Sequence, residues 1–286
     1  MAGLVAFRTM TMADLEEVVE WAAAEGWNPG LADAPAFFAA DPEGLFVATR
    51  DDKPVAAIAV VNHNDQFAFL GLYICRAEYR GQGIGFALWQ HALQHAGDRC
   101  VALEGVAAQV ANYAKSGFTP AYKTERFTGL VEGQSHPLVR SARPDDVDML
   151  TALEAAGAGT TRLAFMHAWL ADHPHRQTLV LERDDGTVAG FVTVRQCREA
   201  SKIGPLVADN LAHAKVLLRA AAHHLGSGAV ALVLDVPAPL TGLADLCRSQ
   251  GMTVAFDTMR MYRGSPLPAP SAPPGAIYTP ATLEVG

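Results

Sequence analysis

The chain has 286 residues, is half hydrophobic and only 18% charged, and carries a formal net charge of −8, a composition that builds about two packed domains and argues against disorder or a nucleic-acid partner. Cys75, Cys100, Cys197 and Cys247 stand far apart with no Cys-x-x-Cys, so neither a zinc site nor a disulfide framework is predicted, and reduced thiols in a cytoplasm are the simplest reading. The opening MAGLVAFRTM lacks the shape of a signal peptide, and no run approaches the roughly 18 apolar residues of a membrane span. In chain order, Leu4–Arg8 reads as a strand. Thr11 with Asp14 three residues on is a capping-box start for a helix that carries Leu15, Val18, Val19 and Ala22 on one face. Gly26-Trp27-Asn28-Pro29-Gly30 is turn chemistry, and Asp33 is predicted to cap a second short helix. Leu45–Thr49 and Val55–Val61 are strands joined by Arg50-Asp51-Asp52-Lys53, a hairpin turn. His63-Asn64-Asp65 turns the chain into a strand holding Leu70, Leu72, Tyr73, Ile74 and Cys75. Beyond it lie a glycine-rich turn and an amphipathic helix with Phe86, Leu88, Trp89 and Leu93 apolar. Cys100–Leu103 is the next strand, Gln109–Lys115 a helix closed by Gly117, and Ala121–Phe127 a further strand.

The turn reads Arg80-Gly81-Gln82-Gly83-Ile84-Gly85. Alternating glycines curl the backbone and leave its N–H groups uncovered, and the helix that follows adds free amides and the positive end of its dipole. Together they make a seat for a phosphate or pyrophosphate, with Arg80 as a fixed charge at the rim. The dinucleotide fingerprint does not fit, because Phe86 and Leu88 fall where its third glycine belongs, and the Gly-Lys-Ser/Thr of a P-loop is absent.

Arg-Gly-x-Gly-x-Gly at a strand-to-helix junction resembles the acyl-CoA pyrophosphate loop of the GNAT acetyltransferase superfamily. Asn112-Tyr113-Ala114-Lys115-Ser116-Gly117-Phe118 resembles the family's Tyr-x-Lys-x-Gly-Phe segment, and the element order agrees. Val106 departs from the family, which often carries a polar residue there; Gln109 or Asn112 is expected to take over its contact with the cofactor.

The rest of the chain repeats the first part. RTMTMAD (8–14) lines up with RSARPDD (140–146), residues 45–60 with 178–193, and SGFTPAYKTERF (116–127) with QGMTVAFDTMRM (250–261), at an offset drifting only from 132 to 134. The predicted fold is therefore α+β (α/β), two tandem GNAT-like domains, each a mixed central sheet flanked by helices. The domains expected are 1–136 (acyl-CoA-binding), 137–264 (degenerate) and 265–286 (a Pro-rich linker and a last strand). In the second copy the glycines are replaced by His213-Ala214-Lys215-Val216-Leu217-Leu218 and the tyrosine by Cys247, so a scaffold that walls the acceptor pocket is expected of it.

The resemblance implies an acetyl-CoA-dependent N-acetyltransferase that transfers directly to an amine of a small molecule. A protein or peptide amine as acceptor, and a non-catalytic CoA-binding regulator, are the alternatives. It implies acetyl-CoA on Gly81, Gln82, Gly83, Ile84 and Gly85 with Arg80, its pantetheine arm along the backbone of Tyr73, Ile74 and Cys75, and Asn112 nearby. Tyr113 holds the family's place for the acid that protonates the thiolate. Glu104, just past a strand end, is the first candidate for the base, ahead of Glu25 and His63. Trp27 is expected to line the acceptor site, and Cys75 to be a small packing residue and not a nucleophile. His91 and His95 are spaced i, i+4 without a third ligand, so no metal is expected. No nucleic acid and no membrane are expected as partners, and monomer and homodimer both stay open.

Overall fold

The computed structural model describes residues 4–265 and 276–286. The Pro-rich linker expected from Ser265 onward otherwise lies outside the described residues. The first half runs β1 (Val5–Thr9), α1 (Met12–Ala24), α2 (Asp33–Ala40), β2 (Leu45–Arg50), β3 (Lys53–Asn62), β4 (Phe67–Cys75), α3 (Ile84–Leu93), β5 (Cys100–Val106), α4 (Val110–Lys115) and β6 (Thr119–Glu132). The second half repeats the order with β7 (Val139–Ser141), α5 (Val147–Ala158), α6 (Leu163–Leu170), β8 (Arg176–Glu182), β9 (Val188–Gln196), β10 (Ser201–Ala208), α7 (Leu211–Leu225), β11 (Ala229–Pro237), α8 (Thr241–Ser249) and β12 (Thr253–Arg263). A last strand, β13 (Ile277–Thr279), follows.

Local chemistry forms these elements largely as the residues predict. Thr11 and Asp14 form the capping box of α1, and Asp14 also receives Arg8 at 2.7 and 2.9 Å. The same pair recurs one repeat later, Arg140 holding Asp146 at 2.6 and 3.0 Å. Asp51 and Asp52 adopt φ of +51° and +61°, the mirror-image turn that suits a two-residue hairpin. Asp33 departs from expectation. It is the first residue of α2 and not its cap, because its carboxylate accepts the Gly30 N–H at 2.8 Å and lies 3.6 Å from the buried Arg195.

The thirteen described strands form one sheet, in the order β1-β2-β3-β4-β5-β12-β6-β11-β10-β9-β8-β7, with β13 beside β10. The order is a palindrome because the two halves exchange strands. β12 lies antiparallel between β5 and β6, and β6 between β12 and β11. Two facing ion pairs clamp the exchange. Glu104 on β5 faces Arg260 on β12 at 2.7 Å, and Asp235 on β11 faces Arg126 on β6 at 2.7 and 2.9 Å. Arg126 and Arg260 occupy one and the same place in the aligned repeats. Burial works against both guanidinium charges, but the facing carboxylates outweigh it and raise both pKa values.

Alternation along the strands sends side chains to two faces. Leu45, Val47, Ala57, Ala59, Val61, Leu72 and Ile74 meet α1, α2, α5 and α6 in one core shared by both halves. The opposite face is covered separately, by α3 and α4 under the first half and by α7 and α8 under the second. No helix among the described residues is long and apolar enough to cross a membrane.

The chain's last described stretch crosses the shared face. β13 pairs antiparallel with β10, and the backbone carbonyl of Glu284 then packs on Gly71, where an added Cβ would meet it at 1.9 Å. His63, set between the rings of Phe67 and Phe165, shares a 2.7 Å hydrogen bond between Nε2 and the Val285 carbonyl. Burial, with help from Arg162, pushes its imidazole down to about 3, so it is neutral and Nε2 carries the proton that it donates.

Three outcomes are expected. Arg126→Met leaves Asp235 buried without its partner and should cost about 3–5 kcal/mol, most of it recovered in the double variant Arg126→Met/Asp235→Leu; denaturant titration measures both. A chain ending at residue 136 exposes the edges of β5 and β6 and should aggregate or pair with a second copy, read by light scattering. Finally, His63 is depressed in the folded state, so the unfolded chain takes up its proton first as pH falls below about 6.5. Its contribution is complete above that value and is lost as pH falls toward about 3. His63→Gln should therefore flatten the decline in stability between about pH 7 and pH 5 by roughly 1–2 kcal/mol.

Candidate active site

The site is a fork in the sheet. β4 and β5 run parallel and pair only from Phe67–Leu70 against Cys100–Leu103. Beyond Leu70 the register of β4 against β3 slips, with Ala59 opposite Gly71 and Ala57 opposite Ile74. Two residues, Leu72 and Tyr73, thus bulge opposite one, and Leu72 takes φ +46°. The bulge turns β4 away from β5 and, among the described residues, leaves the β5-facing backbone of Gly71–Cys75 without a strand partner. Polar backbone groups bared in this way can hold an extended ligand arm and an oxygen that gains charge.

The glycine-rich turn lies just beyond this fork. Gly81 and Gly83 take φ of +72° and +78°, and a Cβ at either would meet nothing within 4 Å. The glycines are there for backbone shape and for open space above it. Gly83 is the N-cap of α3, and the first ladder bond runs from the Ala87 N–H to the Gly83 carbonyl at 3.0 Å. The amides before it, at the dipole's positive end, stay outside the helix ladder. This cradle fits a phosphate or pyrophosphate. The neighbouring side chains brace it: Arg80 donates to the Cys75 carbonyl at 2.8 Å and pairs with Glu25, while Gln82 joins Arg50 at 3.0 Å to the Glu78 carbonyl at 2.9 Å.

Gly85 has a different task. A Cβ there would lie 2.9 Å from the Tyr73 hydroxyl, so the third glycine makes room for that side chain. Tyr73 meets Trp89 edge to face at 5.2 Å, and Trp89 stacks on Tyr113 at 5.2 Å with 9° between the rings. Gly105 completes the slot, since a Cβ there would lie 2.9 Å from the Tyr113 ring. Burial pushes both phenols up to about 12, so each is protonated at neutral pH. Ile74 points instead into the shared core, and Ile84 into the core beneath α3.

Other predicted residues are placed differently. Glu104 is the first β5 residue beyond the fork, but its carboxylate accepts from Arg260 at 2.7 Å, Thr258 at 2.6 Å and Thr124 at 3.1 Å, and its side chain is 1% exposed. That geometry corrects the general-base assignment, because a proton taken there would strip a buried guanidinium of its partner. Asn112 is exposed on α4 and bonds Gln109 at 2.9 Å and Lys115 at 3.3 Å, within its own helix and the turn before it. Burial raises the Cys75 thiol pKa despite nearby Arg80, which leaves it a poor nucleophile. His95 bonds Asp41 at 2.8 Å and His91 packs on Phe7 and Phe46. Among the described residues, no group of three or more His, Cys, Asp or Glu could hold a metal ion.

Sequence reasoning missed how the second half closes over the α1–α2 turn. The Trp27 carbonyl accepts from Lys202 at 2.8 Å, beside the first half's own Arg126 at 3.4 Å; Asn28 donates to the Glu199 carbonyl at 2.5 Å; the Leu31 N–H donates to the Gln196 carbonyl at 2.9 Å. It also missed the second half's own fork. β10 pairs with β11 only over Ser201–Ile203 and then parts from it, and β13 takes the freed edge with Leu206 opposite Thr279 and Ala208 opposite Ile277. The helix after it, α7, is capped by the Asn210 side chain, which accepts from the His213 N–H at 3.0 Å.

Comparison with known proteins agrees with this arrangement. The acetyltransferase (GNAT) family model matches residues 12–118, and an acetyltransferase (GNAT) domain model matches residues 150–273. The chain is 32% identical to a holothin acyltransferase from Pseudoalteromonas sp. (strain SANK 73390) over 97% of its own length and 94% of that protein. Among solved structures, a putative acetyltransferase from Pyrococcus horikoshii superposes with a TM-score of 0.78 at 20% identity, covering 99% of this chain and 96% of that one. A tandem GNAT protein from the clavulanic acid biosynthesis pathway superposes at 0.61 and 16% identity, covering 91% and 98%. A domain model on each half and a relative spanning nearly the whole length establish that the chain belongs to the GNAT acyltransferase family, as a tandem of two such domains.

Proposed function

We propose that the first half binds one acyl-CoA, with acetyl-CoA the leading candidate, and transfers its acyl group directly to an amine of a small molecule. The observation that carries this reading is the conjunction at one fork: an uncovered glycine cradle on a helix N-terminus, a bared stretch of β4, and a half-buried tyrosine beside them. The pyrophosphate would sit on Gly81–Gly85 and the pantetheine arm along Tyr73–Cys75. A backbone N–H on that arm would stabilise the thioester oxygen as it gains charge.

Tyr113 would donate a hydrogen bond to the departing thiolate. A phenol raised to about 12 does not surrender its proton outright to a thiol of pKa about 8.5, so the bond stabilises the leaving sulfur while the proton comes from the amine. A Cys75 thiol held protonated by burial favours direct transfer over an acyl-enzyme. The α1–α2 turn, tied down on Lys202 and Arg126, favours a small acceptor over a protein chain. The relative's name makes holothin one acceptor to try. The second half, its fork filled by β13 and its helix start capped by Asn210, would hold no acyl-CoA.

Calorimetry should find one acyl-CoA per chain, and Gly83→Val should weaken binding about tenfold or more, because its side chain takes the phosphate's place. Tyr113→Phe should lower kcat by roughly ten- to a hundredfold and leave acyl-CoA affinity nearly unchanged, as for a group that acts in the transition state. Two equal sites, or full turnover in Tyr113→Phe, would contradict the respective assignment.

A further inference from the structure

We infer that Arg50, which lies on β2 and outside the glycine-rich turn, supplies the positive charge that holds the pyrophosphate of acyl-CoA, in the role the sequence suggests for Arg80. The inference rests on the acyl-CoA reading above and on how the charges around the cradle are paired.

Three arginines lie close to the turn, and two of them already have a carboxylate. Arg76 meets Glu78 at 3.0 Å and lies over the Trp21 ring. Arg80 gives its Nε–H to the Cys75 carbonyl and pairs with Glu25. Among the described residues, no carboxylate comes within ion-pairing distance of Arg50, whose polar side-chain partner is the neutral Gln82. Asp51 and Asp52 form the turn just beyond it, and Asp52 acts on Arg8 of β1.

The strand's alternation carries Arg50 to the cradle. Phe46 and Ala48 pack beneath α3, and Arg50 is the next β2 residue on that face. It pairs across the sheet with Val5, which packs against the same core. Its Nη1 donates to the Gln82 side-chain oxygen at 3.0 Å, and its guanidinium lies 5.3 Å from the Tyr79 ring centre. Gln82 stands between Gly81 and Gly83, the two turn residues with positive φ. The charge is therefore held at the middle of the cradle, where a pyrophosphate would lie.

The protein alone does not favour a cation in this place. α3 begins at Gly83 with no acidic residue in its first turn, so the free amides and the dipole make the helix start positive. A guanidinium beside it adds like charge to like. The Arg50 Nε is also buried without a hydrogen-bond partner. An anion between them reverses the sign of every one of these interactions, and a pyrophosphate, with two negative charges, satisfies the amides and the guanidinium together.

The test is calorimetric titration of the full chain with coenzyme A and with dephospho-coenzyme A, which keeps the pyrophosphate and lacks the 3′-phosphate. Arg50→Gln should weaken both ligands alike, by about tenfold or more, and Arg50→Lys, which keeps the charge, by about threefold or less. Wild-type affinity should fall as salt is raised from about 50 to 500 mM. Arg50→Gln should flatten that fall, whereas Arg80→Gln/Glu25→Gln, which removes a matched pair, should leave it steep. Loss with coenzyme A alone would move Arg50 to the 3′-phosphate and overturn the assignment. So would equal losses in the Gln and Lys variants, which would make Arg50 a brace for Gln82, or undiminished binding in Arg50→Gln. If the wild-type chain bound neither ligand, the acyl-CoA reading itself would be contradicted and the inference with it.

Discussion

The exchange of β6 and β12 between the halves is the constraint on which the rest depends, and two buried Arg–carboxylate pairs hold it. Glu104–Arg260 and Asp235–Arg126 each join a strand of one half to a strand of the other. Such pairs are a poor source of net stability, since desolvation offsets most of their attraction. Their effect lies in what their loss would leave behind: a bare buried charge in any register other than the native one. They pin β5 against β12, and with β5 fixed, a bulge in β4 is enough to open the fork.

On either side of this exchange, two copies of one fold differ in local structure at the same place. Each half has a parallel pair that parts after a few residues, β4 from β5 and β10 from β11. In the first half the gap is followed by glycines with positive φ and an uncapped helix start. In the second half it is filled by β13, and the helix start is satisfied by Asn210. The stretch that fills one fork continues to the β4 bulge of the other, where only a glycine at position 71 lets it lie so close. The second half thus reaches the first half's fork through the last stretch and packs on the α1–α2 turn.

Much of this was legible in the chain. The glycine turn, the helix after it, Tyr113 and the tandem repeat are local patterns, and backbone sterics and side-chain periodicity bring them through to the fold. The repeat even carried the Arg8–Asp14 pair into Arg140–Asp146. What escaped was set by partners distant in sequence. Glu104 looks like a free acid beside a strand end, but Arg260 meets it from 156 residues away. Asp33 looks like a cap until Arg195 is placed beside it. The tasks of Gly85 and Gly105, making room for Tyr73 and Tyr113, show no signature of their own because the rings they admit come from other elements. The strand exchange is invisible to periodicity, which records that a strand has a buried face and not which strand lies next to it.

If one fork of the two receives the acyl-CoA, as proposed, ligand binding shields that fork alone. Hydrogen exchange on the full chain, with and without an unreactive thioether analogue of acetyl-CoA, tests it most directly. Slowed exchange is expected across residues 71–86, where the bared strand and the glycine cradle would be covered, with no change across residues 203–218. Protection of the α7 start, or equal protection of both segments, would contradict it.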